Sequence, residues 1–224
     1  MKIAILQSLL LFFLIASNFG CNSNAKSVTD SPAPKVSQTA PANNDVAAKT
    51  EKIKFKTDGG SDLFALKQQA DGAKLVDGKN QELAKIKTDK PSQIKIKNSS
   101  DKVLGYVVTE KDSWKLKNPE QKQDLYILKK QPDGNYQLQN TAKKEIYLIK
   151  AQDDGFEIQS PDKKLVYQVK VKEGKTSLRD AANKTIFSTK SGLSPIAFAC
   201  FGFDVMTREQ QAALAYAVNL TGGK

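Results

Sequence analysis

Apolar residues recur in this chain at intervals of about 21 positions, and a short internal repeat restricts a fold more than any other sequence feature. Leu63, Leu83, Leu104, Leu125, Ile146, Leu165 and Ile186 each open a strand-like run: LFALKQ, LAKIKT, LGYVVT, LYILKK, IYLIKA, LVYQVK and IFSTK. A second, shorter family lies between them, centred on Leu75, Ile96, Leu116, Leu138, Ile158 and Leu178. Two positions before each centre stand Ala73, Ile94, Trp114, Tyr136, Phe156 and Thr176, a spacing that puts each pair on one face of a strand. Turn formers keep the same period. Asp71-Gly72, Asp133-Gly134, Asp154-Gly155 and Glu173-Gly174 follow the long runs, where a hairpin needs residues tolerant of positive φ. Asp77-Gly78, Asn98-Ser99, Asn118-Pro119, Asn140-Thr141 and Ser160-Pro161 follow the short ones. The unit is a pair of strands and two turns, so about six copies predict an all-β domain of roughly 12 or 13 antiparallel strands. Lys52–Lys56 offers one more.

After Gly192 the pattern changes. Ser194-Pro195 reads as an N-cap followed by proline in the first helical position. Ile196 to Phe203 is apolar on all sides, and such a helix requires complete burial. Running to Met206 it would be about 18 Å long, near the height of a barrel of short tilted strands. A second helix is predicted from Thr207, where Thr207-Arg208-Glu209-Gln210 fits a capping box, and Gly222-Gly223 ends it.

Repeated strand pairs followed by the apolar stretch Ser194-Pro195-Ile196-Ala197-Phe198-Ala199-Cys200-Phe201-Gly202-Phe203-Asp204 resemble the tubby-like C-terminal fold of tubby, LURP-one-related and phospholipid scramblase proteins. The resemblance covers roughly residues 53–206 and implies a closed barrel around a central apolar helix, with a leaning towards lipid or membrane surfaces. No ligand-contacting residue of that family aligns here. In the middle strands both faces are apolar, Leu125 and Ile127 pointing one way and Tyr126 and Leu128 the other. The second helix is expected to cover that outer patch; otherwise it is an exposed interaction surface.

The N-terminus reads as a targeting segment. Lys2 precedes a run from Ile3 to Ala16 that is apolar except for Gln7 and Ser8, short for a membrane span and suited to a signal peptide. Ser17-Asn18-Phe19-Gly20-Cys21 resembles a bacterial lipoprotein cleavage site, although Asn18 stands where a Leu-like residue is usual. The expected organisation is a signal peptide (1–20), the lipid acceptor Cys21 with a disordered tether to residue 52, and the barrel domain (53–224). The tether carries three prolines and no aromatic residue, too little apolar surface to offset the entropy of ordering it. The protein is therefore expected to be exported and anchored at a membrane, on its periplasmic face or at the cell surface.

Composition narrows the chemistry. The chain has no histidine, which removes the commonest general base, and two cysteines, of which Cys200 has no partner if Cys21 is lipidated. Cys200 in an apolar helix reads as structural, and Asp204 reads as a helix-junction aspartate bonded to local backbone. The turn carboxylates Asp58, Asp62, Asp71, Asp77, Asp153, Asp154 and Asp162 lack EF-hand spacing. No catalytic residue, metal site or cofactor is expected. A net charge of +11 favours anionic partners in general. Lys95, Lys97, Lys115, Lys117, Lys129, Lys130, Lys143, Lys144, Lys163, Lys164, Lys170 and Lys172 fall near strand ends or on outer faces. Lys143, Lys144, Lys163 and Lys164 occupy equivalent turns of adjacent repeats and form the candidate ligand cluster. The expected role is a binding or scaffolding module of the envelope that engages anionic lipid or cell-wall polymer. A structural protein with a protein partner is the alternative and a hydrolase with an unrecognised site a remote one. Contiguous lysines on one barrel face would favour the anionic ligand, a contiguous apolar patch the protein. Nucleic acid is disfavoured by export and by the lack of a reading motif.

Overall fold

The computed structural model describes residues 51–222; the segments read as a signal peptide and a tether, up to residue 50 and including Cys21, lie outside the described residues. Fourteen strands form. They are β1 (Lys52–Lys56), β2 (Asp62–Gln69), β3 (Gly72–Asp77), β4 (Glu82–Lys90), β5 (Gln93–Asn98), β6 (Val103–Glu110) and β7 (Ser113–Lys117). Then come β8 (Asp124–Lys130), β9 (Tyr136–Asn140), β10 (Glu145–Gln152), β11 (Gly155–Gln159), β12 (Leu165–Lys172), β13 (Lys175–Asp180) and β14 (Thr185–Thr189). Sequence order is spatial order: each strand pairs antiparallel with its neighbours, and β14 meets β1 to close a barrel.

The repeated aliphatic residue has a specific geometric role. In seven strands one residue is skipped by the pairing register: Leu63, Leu83, Leu104, Leu125, Ile146, Val166 and Ile186. Each is the extra residue of a β-bulge, which bends the strand and increases its twist as closure requires. In β12 the equivalent residue is Val166, not Leu165, and the period then holds at 20 or 21 throughout. The turn before each bulge has one residue with positive φ: Gly60, Asn80, Asp101, Gln121, Lys143, Lys163 and Asn183. Asp77, Asn98 and Asn140 fix these turns by accepting, at Oδ1, the backbone N–H groups two and four residues on. All seven turns share one end of the barrel, the bulge end; the tighter hairpins share the other. At the hairpin end Gly155 has φ 148°, and a Cβ there would strike the carbonyl oxygen of Val169 on the adjacent strand.

Two helices fill the lumen. Helix α1 (Pro195–Ala199) starts at the Ser194 cap, tightens into a 3₁₀ turn over Cys200–Gly202 and ends near the bulge end, shorter than the predicted run to Met206. Gly202 lets it lie close to the wall, since a Cβ would stand 2.8 Å from Ile158 Cδ1 and 3.2 Å from Leu178 Cδ1. Helix α2 (Arg208–Leu220) begins with the predicted capping box and returns to the hairpin end. Every residue from Gln211 to Val218 is buried. It therefore lies inside the barrel against β3–β7, while α1 lies against β11–β13. The expectation that α2 covers an outer apolar patch is corrected. Its four alanines, at 212, 213, 215 and 217, allow it to share the lumen with α1. Outside, Ile127 is 4% exposed, flanked in register by Lys115 and Gln139, whose long side chains shelter it.

The inward residue just after each bulge shapes the lumen: Phe64, Ala84, Gly105, Tyr126, Tyr147, Tyr167 and Phe187. The two small residues fall on strands that α2 touches. The phenylalanines join Phe55, Phe198 and Phe201 in one aromatic cluster, over which the Arg208 guanidinium lies 4.6 Å from the Phe64 centroid. The three tyrosines fasten the turn between the helices. Tyr126 Oη donates to Val205 O at 2.8 Å, and Tyr147 and Tyr167 both donate to the Asp204 carboxylate. At the other end Ser194 N donates to Asn219 Oδ1 and Trp114 Nε1 donates to Thr221 Oγ1.

Candidate functional site

Alternation along the strands sends lysines outward wherever aliphatic residues point in. In β1, Ile53 and Phe55 are buried and Lys52, Lys54 and Lys56 face outward; β4, β5 and β7 repeat this with Lys85 and Lys87, Lys95 and Lys97, and Lys115 and Lys117. Register then aligns these lysines across strands. Lys52 stands opposite Lys67, Lys67 opposite Lys74, Lys74 opposite Lys85, and Lys85 opposite Lys97. A second row sets Lys87 opposite Lys95, Lys95 opposite Tyr106, and Tyr106 opposite Lys117, with the Lys95 ammonium 5.7 Å from the Tyr106 centroid. Like charges directly opposed on a sheet destabilise it, so an uninterrupted row of five needs compensation.

Carboxylates at the strand ends supply part of that compensation. Glu82 lies 2.8 Å from Lys74 and 3.6 Å from Lys85; Asp101 lies 2.9 Å from Lys85 and 3.6 Å from Lys97. The ammonium partners hold Glu82 and Asp101 below the ordinary carboxylate range, and Asp101 raises the Lys85 pKa. Asp89 does the same for Lys95. Two carboxylates among the five lysines of the first row leave it with a surplus of positive charge.

The row begins beside the weakest joint of the barrel. Strands β1 and β14 share one residue pair, Lys56 with Ser188, whereas all the other neighbours share at least four. The seam opens into a groove of about 590 Å³ lined by Lys52, Lys54, Lys56, Lys175 and Lys190, with Ser188 and Thr189 on its floor. Asp62 pairs with Lys54 and Lys56 at 3.0 and 3.2 Å; Lys175 and Lys190 make no ion pair among the described residues. A separate cleft of about 690 Å³ at the hairpin end is lined by Tyr136, Phe156, Val171, Pro195 and Ile196, with Lys130, Asp153 and Asp154 on its rim.

Comparison with known proteins adds little to this geometry. No protein-family model matches the chain, and no curated protein matches it. Among solved structures, an X-ray structure of a protein from Arabidopsis thaliana is similar at 13% identity and a TM-score of 0.38, over 66% of this chain and 84% of that one. A likeness of that degree carries no functional inference.

The residues singled out by sequence fall in different places. Lys143, Lys144, Lys163 and Lys164 are exposed in adjacent bulge-end turns, but neither groove includes them. Lys143 and Lys163 are the positive-φ corners of their turns, and Lys164 pairs with Asp162 at 2.8 Å, which lowers the Asp162 pKa to about 2. Cys21 lies outside the described residues. Cys200 is fully buried with its Sγ directed at Ile196 O, and burial pushes its thiol far above the ordinary range. Asp204 is exposed and bonded to tyrosines of the wall, which corrects its reading as a carboxylate bonded to local backbone. Lys95, Lys97, Lys115 and Lys117, expected near strand ends or on outer faces, do face outward, whereas Lys52, Lys67, Lys74, Lys85, Lys175 and Lys190 are not among the lysines the sequence singles out. Period-two alternation could have found the first of these one by one; their alignment needs the cross-strand register.

Proposed function

We propose that this protein is an exported lipoprotein held at a membrane through Cys21, and that its barrel binds an anionic partner through the lysine-bearing face of β1–β5. The observation that carries the reading is the in-register row Lys52, Lys67, Lys74, Lys85 and Lys97, a contiguous basic face flanked by the lysine-lined seam. On this reading the barrel is a tubby-like module that works by binding, and its buried thiol serves packing rather than chemistry. The tether lets the domain sample the envelope on the periplasmic side or at the cell surface. Residues 46–224, the unit that contains the whole barrel, should co-sediment with phosphatidylglycerol vesicles, ignore phosphatidylcholine vesicles, and dissociate as salt rises, because exposed charges are screened over about 8 Å at physiological ionic strength. Equal binding to both lipids, or binding to neither vesicle nor any soluble polyanion, would reject the anionic reading and favour a protein partner.

A further inference from the structure

We propose that the ligand of the basic face is a linear polyanion lying across the strands, rather than a single headgroup, and long-chain polyphosphate is the probe for it. This rests on the anionic-ligand reading above and narrows it.

Cross-strand neighbours are spaced by about 4.8 Å, so the five lysines from Lys52 to Lys97 form a line about 19 Å long, perpendicular to the strands. Nothing gathers them around one point, as recognition of a lone phosphate would require. Five adjacent strands of fourteen also cover more than a quarter of the circumference. A flat membrane meets a convex wall along a narrow stripe, so it could engage only part of this row at once. A flexible chain can bend around it and place an anionic group near each ammonium in turn. Glu82 and Asp101, set between lysines of the row, then act as spacers that keep the free protein from repelling itself and that oppose the ligand.

The test uses the full chain in neutral detergent with end-labelled long-chain polyphosphate, followed by fluorescence anisotropy. Tripolyphosphate, orthophosphate and phosphatidylglycerol-doped micelles serve as competitors. Long-chain polyphosphate should bind at least about tenfold more tightly than tripolyphosphate, and orthophosphate should compete weakly. Lys67→Gln, Lys74→Gln, Lys85→Gln and Lys97→Gln together should lower the slope of log affinity against log salt by roughly one per lysine. Glu82→Gln with Asp101→Asn should shift affinity the other way, towards tighter binding, which keeps the proposal testable if the lysine variant folds poorly. Equal affinity for long and short phosphates, or a carboxylate variant that does not bind more tightly, overturns it. Phosphatidylglycerol competing as well as the long polymer overturns the polymer inference and leaves the anionic reading standing. No binding to any anionic probe overturns both.

Discussion

Replacing Phe201 by alanine tests whether the helices are the core of this barrel. Phe201 is 3% exposed, and its ring centroid stands 4.7 Å from that of Phe55 and 5.3 Å from that of Phe64, with Phe187 and Phe198 at 6.4 Å. Truncating a buried phenylalanine costs about 3–5 kcal/mol, and aromatic pairs of this kind add about 0.5–1.5 kcal/mol each. The surrounding wall is a closed hydrogen-bonded sheet that cannot collapse into the space left behind, so the loss belongs at the upper end, about 4–5 kcal/mol. Phe201→Leu, which keeps most of the volume, should cost about 1–1.5 kcal/mol. The assay is urea unfolding followed by fluorescence of Trp114, the only tryptophan, which is buried against Tyr136 and bonded to Thr221 at the end of α2. Its signal reports on seating of the helical hairpin. A loss below about 1 kcal/mol for Phe201→Ala would mean that the helix does not pack as described.

Cys21→Ala should abolish lipid labelling and block processing at that site; labelling that persists would remove Cys21 as the acceptor. Acid should weaken the fold only over a narrow range. Lysine partners lower the pKa values of Asp62, Asp71, Glu82, Asp89, Asp101 and Asp162, the last to about 2. Carboxylates depressed in the folded state contribute stability that is complete above their unfolded pKa near 4 and is lost as pH falls through the folded values. The thermal midpoint should therefore be level from about pH 7 to 5 and decline below about pH 4, modestly because these pairs are exposed. A midpoint that falls already between pH 7 and 5 would contradict this assignment.

Much of the architecture was legible because it repeats. The period located both strand families and their turns, since bulge, Asx turn and alternation each require particular residue types at fixed offsets. The assignment of the repeated aliphatic to the bulge was not legible, because Leu165 and Val166 are equally apolar and only the pairing register tells them apart. The placement of α2 was misread for a similar reason. The apolar outer face of the middle strands offers the helix a place to dock, while the space its alanines need in the lumen is provided by Ala84 and Gly105 on distant strands. The site was the least legible part. Lysines separated by 7 to 15 positions in the chain become direct neighbours only through hairpin register, whereas the clustered Lys143-Lys144 and Lys163-Lys164 pairs, conspicuous in sequence, fall in turns that no groove unites.

The most direct test of the central claim is a map of lysine reactivity by mild acetylation and mass spectrometry, with and without an anionic ligand such as long-chain polyphosphate. Binding through the basic face should protect Lys67, Lys74, Lys85 and Lys97 selectively while Lys143, Lys144, Lys163 and Lys184 remain as reactive as in the free protein. Protection confined to the bulge-end turns, or spread evenly over the barrel, would contradict it.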